Sequence, residues 1–133
     1  FKFTELQACI GIEQMKKLEW RVERKKEILK LYKNLLKDVE EIQFFNQDLL
    51  RTTPWFIDVF AENREMLQNY LKENDIGTRV MYPPINKQKA YKLGGNHSVS
   101  DKVGKKGLWL PSATQLSNEE VQHVCDKIRG FYE

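Results

Sequence analysis

The sequence predicts an α+β domain: a small antiparallel sheet of three to four strands, covered by helices and preceded by a long helical lead. Three observations predict it. Apolar residues up to about Asp38 recur mostly at three- and four-residue intervals; after Val39 short strand-like runs take over; and Ser117-Asn118-Glu119-Glu120 opens a last helical stripe. Together they give a layered domain with one core.

Thr4 and Gln7 have capping-box spacing, so a helix starts there, with Leu6, Cys9, Ile10, Met15 and Leu18 as its apolar stripe. Ala8 and Gly11 are small enough for another element to approach closely. The pattern continues from Trp20 through Val22, Ile28, Leu29, Leu31, Tyr32, Leu35 and Leu36. This is long for one helix of a globular domain, and a break is expected near Leu18 to Arg21. Glu41 to Phe45 is a strand candidate, and Asn46 to Arg51 a polar connection. Pro54 opens Trp55 to Phe60, a strand with Trp55, Ile57 and Val59 on one side and Asp58 on a wetter one. Asn63 is placed to cap a helix carrying Met66, Leu67, Tyr70 and Leu71, and Gly77 to end it in the left-handed conformation.

Thr78 to Tyr82 reads as a strand that Pro83 and Pro84 break, and Asn86 to Tyr91 as one helical turn. Gly94-Gly95-Asn96 is a loop, Ser98 to Lys105 a short helix, and Gly107 to Leu110 a strand stopped by Pro111. The capping box at Ser117 starts the last helix, striped by Val121, Val124, Cys125, Ile128 and Phe131. The expected organisation is a helical lead over residues 1–38 and a small α+β unit over 39–133.

The length of 133 residues fits one domain that buries roughly two thirds of its unfolded surface. No run approaches the ~20 apolar residues of a membrane helix, and nothing resembles a signal peptide. Cys9 and Cys125 lack CxxC spacing and read as buried thiols of a reducing compartment. The net charge of +3 is uninformative, but between Lys16 and Lys37 nine Lys or Arg face three Glu. That run is a solvated helix face or a phosphate-contacting one. The chain opens on Phe1 and is expected to be a piece of a longer protein.

A self-contained catalytic centre is not visible. His97 and His123 have no carboxylate or cysteine at metal-ligand spacing, Gly94-Gly95 lacks a phosphate-loop fingerprint, and no serine sits in a nucleophile elbow. The stretch best suited to chemistry is Gly77 to Tyr91, where two fixed-φ prolines form a rigid shelf among polar and basic groups. Trp20, Trp55 and Trp109 read as core or interface anchors rather than stacking platforms.

Three segments carry a family resemblance. They are Phe3-Thr4-Glu5-Leu6-Gln7-Ala8-Cys9-Ile10-Gly11 with Gln14-Met15 and Leu18, then Ile76 to Pro84, then Leu110-Pro111-Ser112 ahead of Leu116-Ser117 and Glu119-Glu120. In this order they resemble the C-terminal part of the DegT/DnrJ/StrS sugar-nucleotide aminotransferases, pyridoxal-phosphate enzymes of fold type I. The resemblance implies the small C-terminal domain of a cytoplasmic homodimer that aminates a nucleotide-linked ketosugar, in the manner of a perosamine synthase in O-antigen synthesis, with glutamate as donor. It also implies that the lysine binding the cofactor covalently lies upstream of this chain, which would be inactive alone.

Lys2 occupies the basic position of the family's Asn-x-basic segment, which reaches the partner subunit's cofactor phosphate and sugar nucleotide, so it is expected to contact cofactor and substrate. Tyr82 and Asn86 on the shelf, with Arg79 second to Tyr82, are the expected substrate-binding residues. Arg79 and Tyr82 lie three apart on a strand and are expected on opposite faces. Met81 and Asn86 stand where many relatives carry histidines; Asn86 can still hydrogen-bond a sugar hydroxyl. No metal, membrane or nucleic-acid partner is expected. The rival reading is a non-catalytic interaction module, or one binding nucleic acid through helix residues 16–37.

Overall fold

The computed structural model describes residues 2–91 and 94–133. Four strands, β1 (Ile42–Phe44), β2 (Ile57–Ala61), β3 (Arg79–Val80) and β4 (Gly107–Leu110), form one antiparallel sheet in the order β1-β2-β4-β3. Strand alternation divides the sheet into two unlike faces. On one, Ile57 and Val59 pair with Leu110 and Leu108, and Ala61 pairs with Ile42, and all are buried. On the other, Asp58 and Arg79 flank Trp109 from the two neighbouring strands.

Among the described residues there are five helices: α1 (Glu5–Met15), α2 (Leu18–Leu35), α3 (Arg64–Glu73), α4 (Ser98–Lys106) and α5 (Asn118–Tyr132). The core lies on the apolar face, where Ile28, Leu29 and Tyr32 of α2 and Leu36 beyond it meet Leu67 and Leu71 of α3 and Val121, Val124, Cys125 and Ile128 of α5. Each large aliphatic side chain contributes about 1.5–3 kcal/mol on full burial. Polar staples fix α2 in place. Tyr32 Oη donates to the Pro111 carbonyl at 3.1 Å, and Arg24 donates to the Leu116 carbonyl at 2.5 Å and to Asn118 Oδ1 at 2.9 Å. Lys25 Nζ donates to the Trp55 carbonyl at 2.8 Å and to Ser112 Oγ at 3.3 Å; burial lowers its pKa.

Both capping boxes form, at Thr4 with Gln7 and at Ser117 with Glu120. The break in the lead falls at Lys16–Lys17, just before the expected position. Other expectations are corrected. Trp55 stands ahead of β2 and is 78% exposed, so the inward alternation begins only at Ile57. Asn63 precedes α3 in a left-handed conformation and makes no side-chain cap, because its φ of 49° turns the chain instead. Asp75, not Gly77, takes the left-handed position after α3, with φ 60°. Cys9 is exposed on α1, whereas Cys125 is buried. On α1 and the start of α2, Leu6, Ile10, Ile12, Met15, Leu18 and Trp20 are all exposed.

The proline shelf is held by α4. The Pro84 ring packs on Gly104 so closely that a Cβ there would stand 2.5 Å from Pro84 Cδ. A single 3₁₀ turn, Ile85–Lys87, follows, and Asn86 Nδ2 donates to Asp101 Oδ1 at 3.0 Å while Lys87 pairs with Asp101 at 3.1 Å. These two partners, Asn86 foremost, hold the Asp101 carboxyl below its ordinary range. From the other side Arg64 of α3 donates to the Gly104 carbonyl at 2.6 Å.

Candidate functional site

The ladder explains how the shelf meets the sheet. Strand β3 is only Arg79 and Val80, and its last rung is the Met81 N–H to the Gly107 carbonyl at 3.2 Å. Pro83 and Pro84 have no N–H with which to continue, so Tyr82 leaves the strand alternation. Its ring turns back onto Trp109, edge to face, with centroids 5.1 Å apart. Arg79 arrives on the same side by register, and its guanidinium lies 5.5 Å from the Trp109 ring and 5.4 Å from the Tyr82 ring. The expectation that Arg79 and Tyr82 take opposite faces is therefore corrected: they converge on one indole.

Trp109 is itself anchored. Phe56 stacks on it at 4.1 Å with planes 12° apart, and Trp55 meets Phe56 edge-on at 6.2 Å. The result is an aromatic wall, Trp55-Phe56-Trp109-Tyr82, carrying a cation. Among the described residues the Arg79 side chain makes no ion pair or hydrogen bond, so its planar fork of donors is available to an oxyanion. Across Trp109 from Arg79, on β2, burial pushes the Asp58 carboxyl above its ordinary range. The nearby indole N–H of Trp109, which stands short of hydrogen-bond geometry, and Gln47, which donates at 3.3 Å, both oppose that rise.

The remaining predicted residues lie apart from the wall. Asn86 sits on the 3₁₀ turn with its amide N–H engaged by Asp101, leaving its Oδ1 as an acceptor. Lys2 is exposed ahead of α1, and no contact among the described residues joins it to Arg79, Tyr82 or Asn86. Trp109, which the sequence suggests as a core or interface anchor, and Phe56, which it does not single out, complete the wall. The signal was there: between Leu108 and Leu110, which face the core, alternation sends Trp109 to the opposite face. Among the described residues no cluster of His, Cys, Asp and Glu could hold a metal, and no helix is long and apolar enough to cross a membrane.

Pyridoxal phosphate needs a lysine for covalent attachment and an enclosed phosphate cradle. Among the described residues no charged side chain is buried, and the partly enclosed Lys25 is committed to Trp55 and Ser112. These residues do not form a cofactor pocket by themselves.

The geometry defines a class: an α+β fold that sets the Arg79 guanidinium on an aromatic wall beside a proline shelf. The comparisons sharpen that class. The profile of the DegT/DnrJ/EryC1/StrS aminotransferase family matches residues 1–129, and the chain belongs to this family. It is 30% identical to the GDP-perosamine synthase of Escherichia coli O157:H7 over 99% of this chain and 37% of that protein. It is also 30% identical to the dTDP-4-amino-4,6-dideoxy-D-glucose transaminase of Escherichia coli, over 97% of this chain and 38% of that one. The chain thus spans little more than a third of these relatives. A DegT/DnrJ/EryC1/StrS aminotransferase from Brucella abortus superposes with TM-score 0.83 at 27% identity, over 94% of this chain and 35% of that structure. DesV from S. venezuelae superposes at 0.87 over 97% of this chain and 36% of its own; at 22% identity it speaks to the fold alone.

Proposed function

We propose that this chain is the small C-terminal domain of a cytoplasmic, homodimeric, pyridoxal-phosphate-dependent aminotransferase that moves an amino group from glutamate to a nucleotide-linked ketosugar. The 4-keto-6-deoxy sugar of a perosamine-type reaction in polysaccharide synthesis is the leading substrate. The observation that carries the reading is the convergence of Arg79 and Tyr82 on Trp109 beside the proline shelf. It is supported by family membership and by likeness to a perosamine synthase across nearly the whole chain.

In this reading the chain's own residues bind and orient. Arg79 offers paired N–H donors to an oxyanion, Tyr82 Oη exchanges a hydrogen bond with the sugar, and Asn86 Oδ1 accepts from a sugar hydroxyl. Lys2 reaches a phosphate in the partner subunit's site. Residues 1–38 pack through α1 on the rest of the enzyme and its partner, and 39–133 form the lid-like wall. The cofactor supplies the electron sink when bound, and its lysine lies outside this chain.

The test is to purify the complete protein and supply glutamate with GDP- and dTDP-linked 4-keto-6-deoxy sugars. Formation of 2-oxoglutarate together with an aminosugar nucleotide is expected. An active family cofactor site with no turnover of any nucleotide sugar would overturn the reading.

A further inference from the structure

We propose that Trp109 is a positioning residue for oxyanion recognition: its indole gathers Arg79 and Tyr82 into one pair of substrate-facing donors. The proposal rests on the substrate-wall reading above and adds the residue on which that wall depends. Trp109 is 8% exposed yet stands outside the main hydrophobic cluster, which is built from Leu108 and Leu110 on the opposite face. Phe56, Tyr82 and Arg79 all lie against it. Its burial therefore serves the wall rather than the core.

The arrangement has directional logic. Phe56 stacked at 4.1 Å fixes the indole plane, and the β2 and β3 ladders fix the β4 backbone on both sides. The electron-rich faces of Trp109 and Tyr82 both lie near the Arg79 guanidinium and so restrain a side chain that would otherwise sample many rotamers. A restrained, unpaired guanidinium loses less freedom on meeting an oxyanion. The oxyanion chemistry is shared by the diphosphate of a nucleotide sugar and the carboxylate of glutamate, and kinetics separate the two.

The experiment measures KM and kcat for both substrates in the complete enzyme carrying Arg79→Ala, Tyr82→Phe, Trp109→Leu, Trp109→Phe, or Arg79→Ala with Trp109→Leu. Trp109→Leu is expected to raise one KM by about three- to tenfold, the scale of a partly exposed cation–π contact, with kcat changed by less than about twofold. A rise for the nucleotide sugar assigns the diphosphate; a rise for glutamate assigns the carboxylate. Trp109→Phe keeps an aromatic face and should restore most of the affinity, and the double variant should be no worse than Arg79→Ala alone.

The proposal is overturned if the two effects multiply, if Trp109→Phe is as impaired as Trp109→Leu, or if the losses merely follow a lowered Tm. Should Trp109→Leu not fold, Trp109→Phe takes its place in the cycle, with a rise of about twofold that vanishes without Arg79. Unchanged kinetics in both Arg79→Ala and Tyr82→Phe would instead sink the wall reading itself.

Discussion

Gly104→Ala is expected to destabilise the protein, although the same exchange inside a helix ordinarily stabilises. Gly104 lies in α4, where replacing glycine by alanine should gain roughly 1 kcal/mol of helix propensity. Here the new Cβ would stand 2.5 Å from Pro84 Cδ and 2.6 Å from Pro84 Cγ, well inside contact distance. A proline ring cannot rotate away, so α4 or the shelf must shift, and overpacking of this kind costs about 1–3 kcal/mol. The net loss should be on the order of 1 kcal/mol, the steric cost exceeding the propensity gain. Gly130 in α5 is the internal control. A Cβ there would meet only Tyr70 Oη at 3.8 Å, so Gly130→Ala should stabilise by roughly 0.5–1 kcal/mol. Thermal and urea unfolding of both variants reads the two signs. If Gly104→Ala stabilises as much as Gly130→Ala, the close approach of α4 to the shelf is wrong.

Tyr32→Phe should cost about 1 kcal/mol in urea unfolding, because it leaves the Pro111 carbonyl without its buried donor while keeping the ring in the core. Burial foremost, with Asp126 adding to it, pushes the Cys125 thiol up to about 12 from its ordinary 9.0. The unfolded thiol therefore ionises while the folded one keeps its proton. This contribution to stability is complete below about pH 9 and declines as pH rises toward 12, at about 1.4 kcal/mol per unit of difference. Urea midpoints at pH 7.5 and about pH 10.5 should fall less in Cys125→Ala than in the parent; a slope unchanged by the substitution would refute the assignment. Tyr32 and Tyr132, both raised chiefly by burial, leave a residual slope of the same sign. Lys2→Ala in the complete enzyme should weaken apparent cofactor or sugar-nucleotide affinity about tenfold, as loss of a charged hydrogen bond would, and unaltered kinetics would remove Lys2 from the site.

What the sequence disclosed and what it concealed follow from how local each determinant is. The capping boxes at Thr4 and Ser117 close within one turn, and both were legible in the sequence. Strand β4 was legible because Gly107 and Pro111 bracket a short apolar run. The left-handed residue after α3 was not, since a glycine stands two positions beyond Asp75 and local chemistry favours it. The site was concealed for a related reason. Alternation predicts opposite faces for Arg79 and Tyr82 only if the strand lasts, and its length is decided by pairing with Gly107 and by the prolines beyond. Trp109 then acts as the meeting point, a role visible only once β2, β4 and β3 are aligned.

The basic run from Lys16 to Lys37 is also reinterpreted by its contacts. Of its nine cations, Arg24 and Lys25 are tied to backbone carbonyls of the β4–α5 connection and of Trp55. Lys16, Arg21 and Lys26 are engaged by Glu13, Gln14 and Glu23. Among the described residues four have no such partner: Lys17, Lys30, Lys33 and Lys37. Nucleic-acid affinity scales with the number of phosphates neutralised and needs cations free to meet a backbone. Through Arg24 and Lys25 the helix instead ties down the segment between β4 and α5 and the backbone at Trp55, next to the aromatic wall. The charge that suggested a phosphate surface is, at Arg24 and Lys25, tied to backbone carbonyls at Leu116 and Trp55, and the cation on the aromatic wall is Arg79.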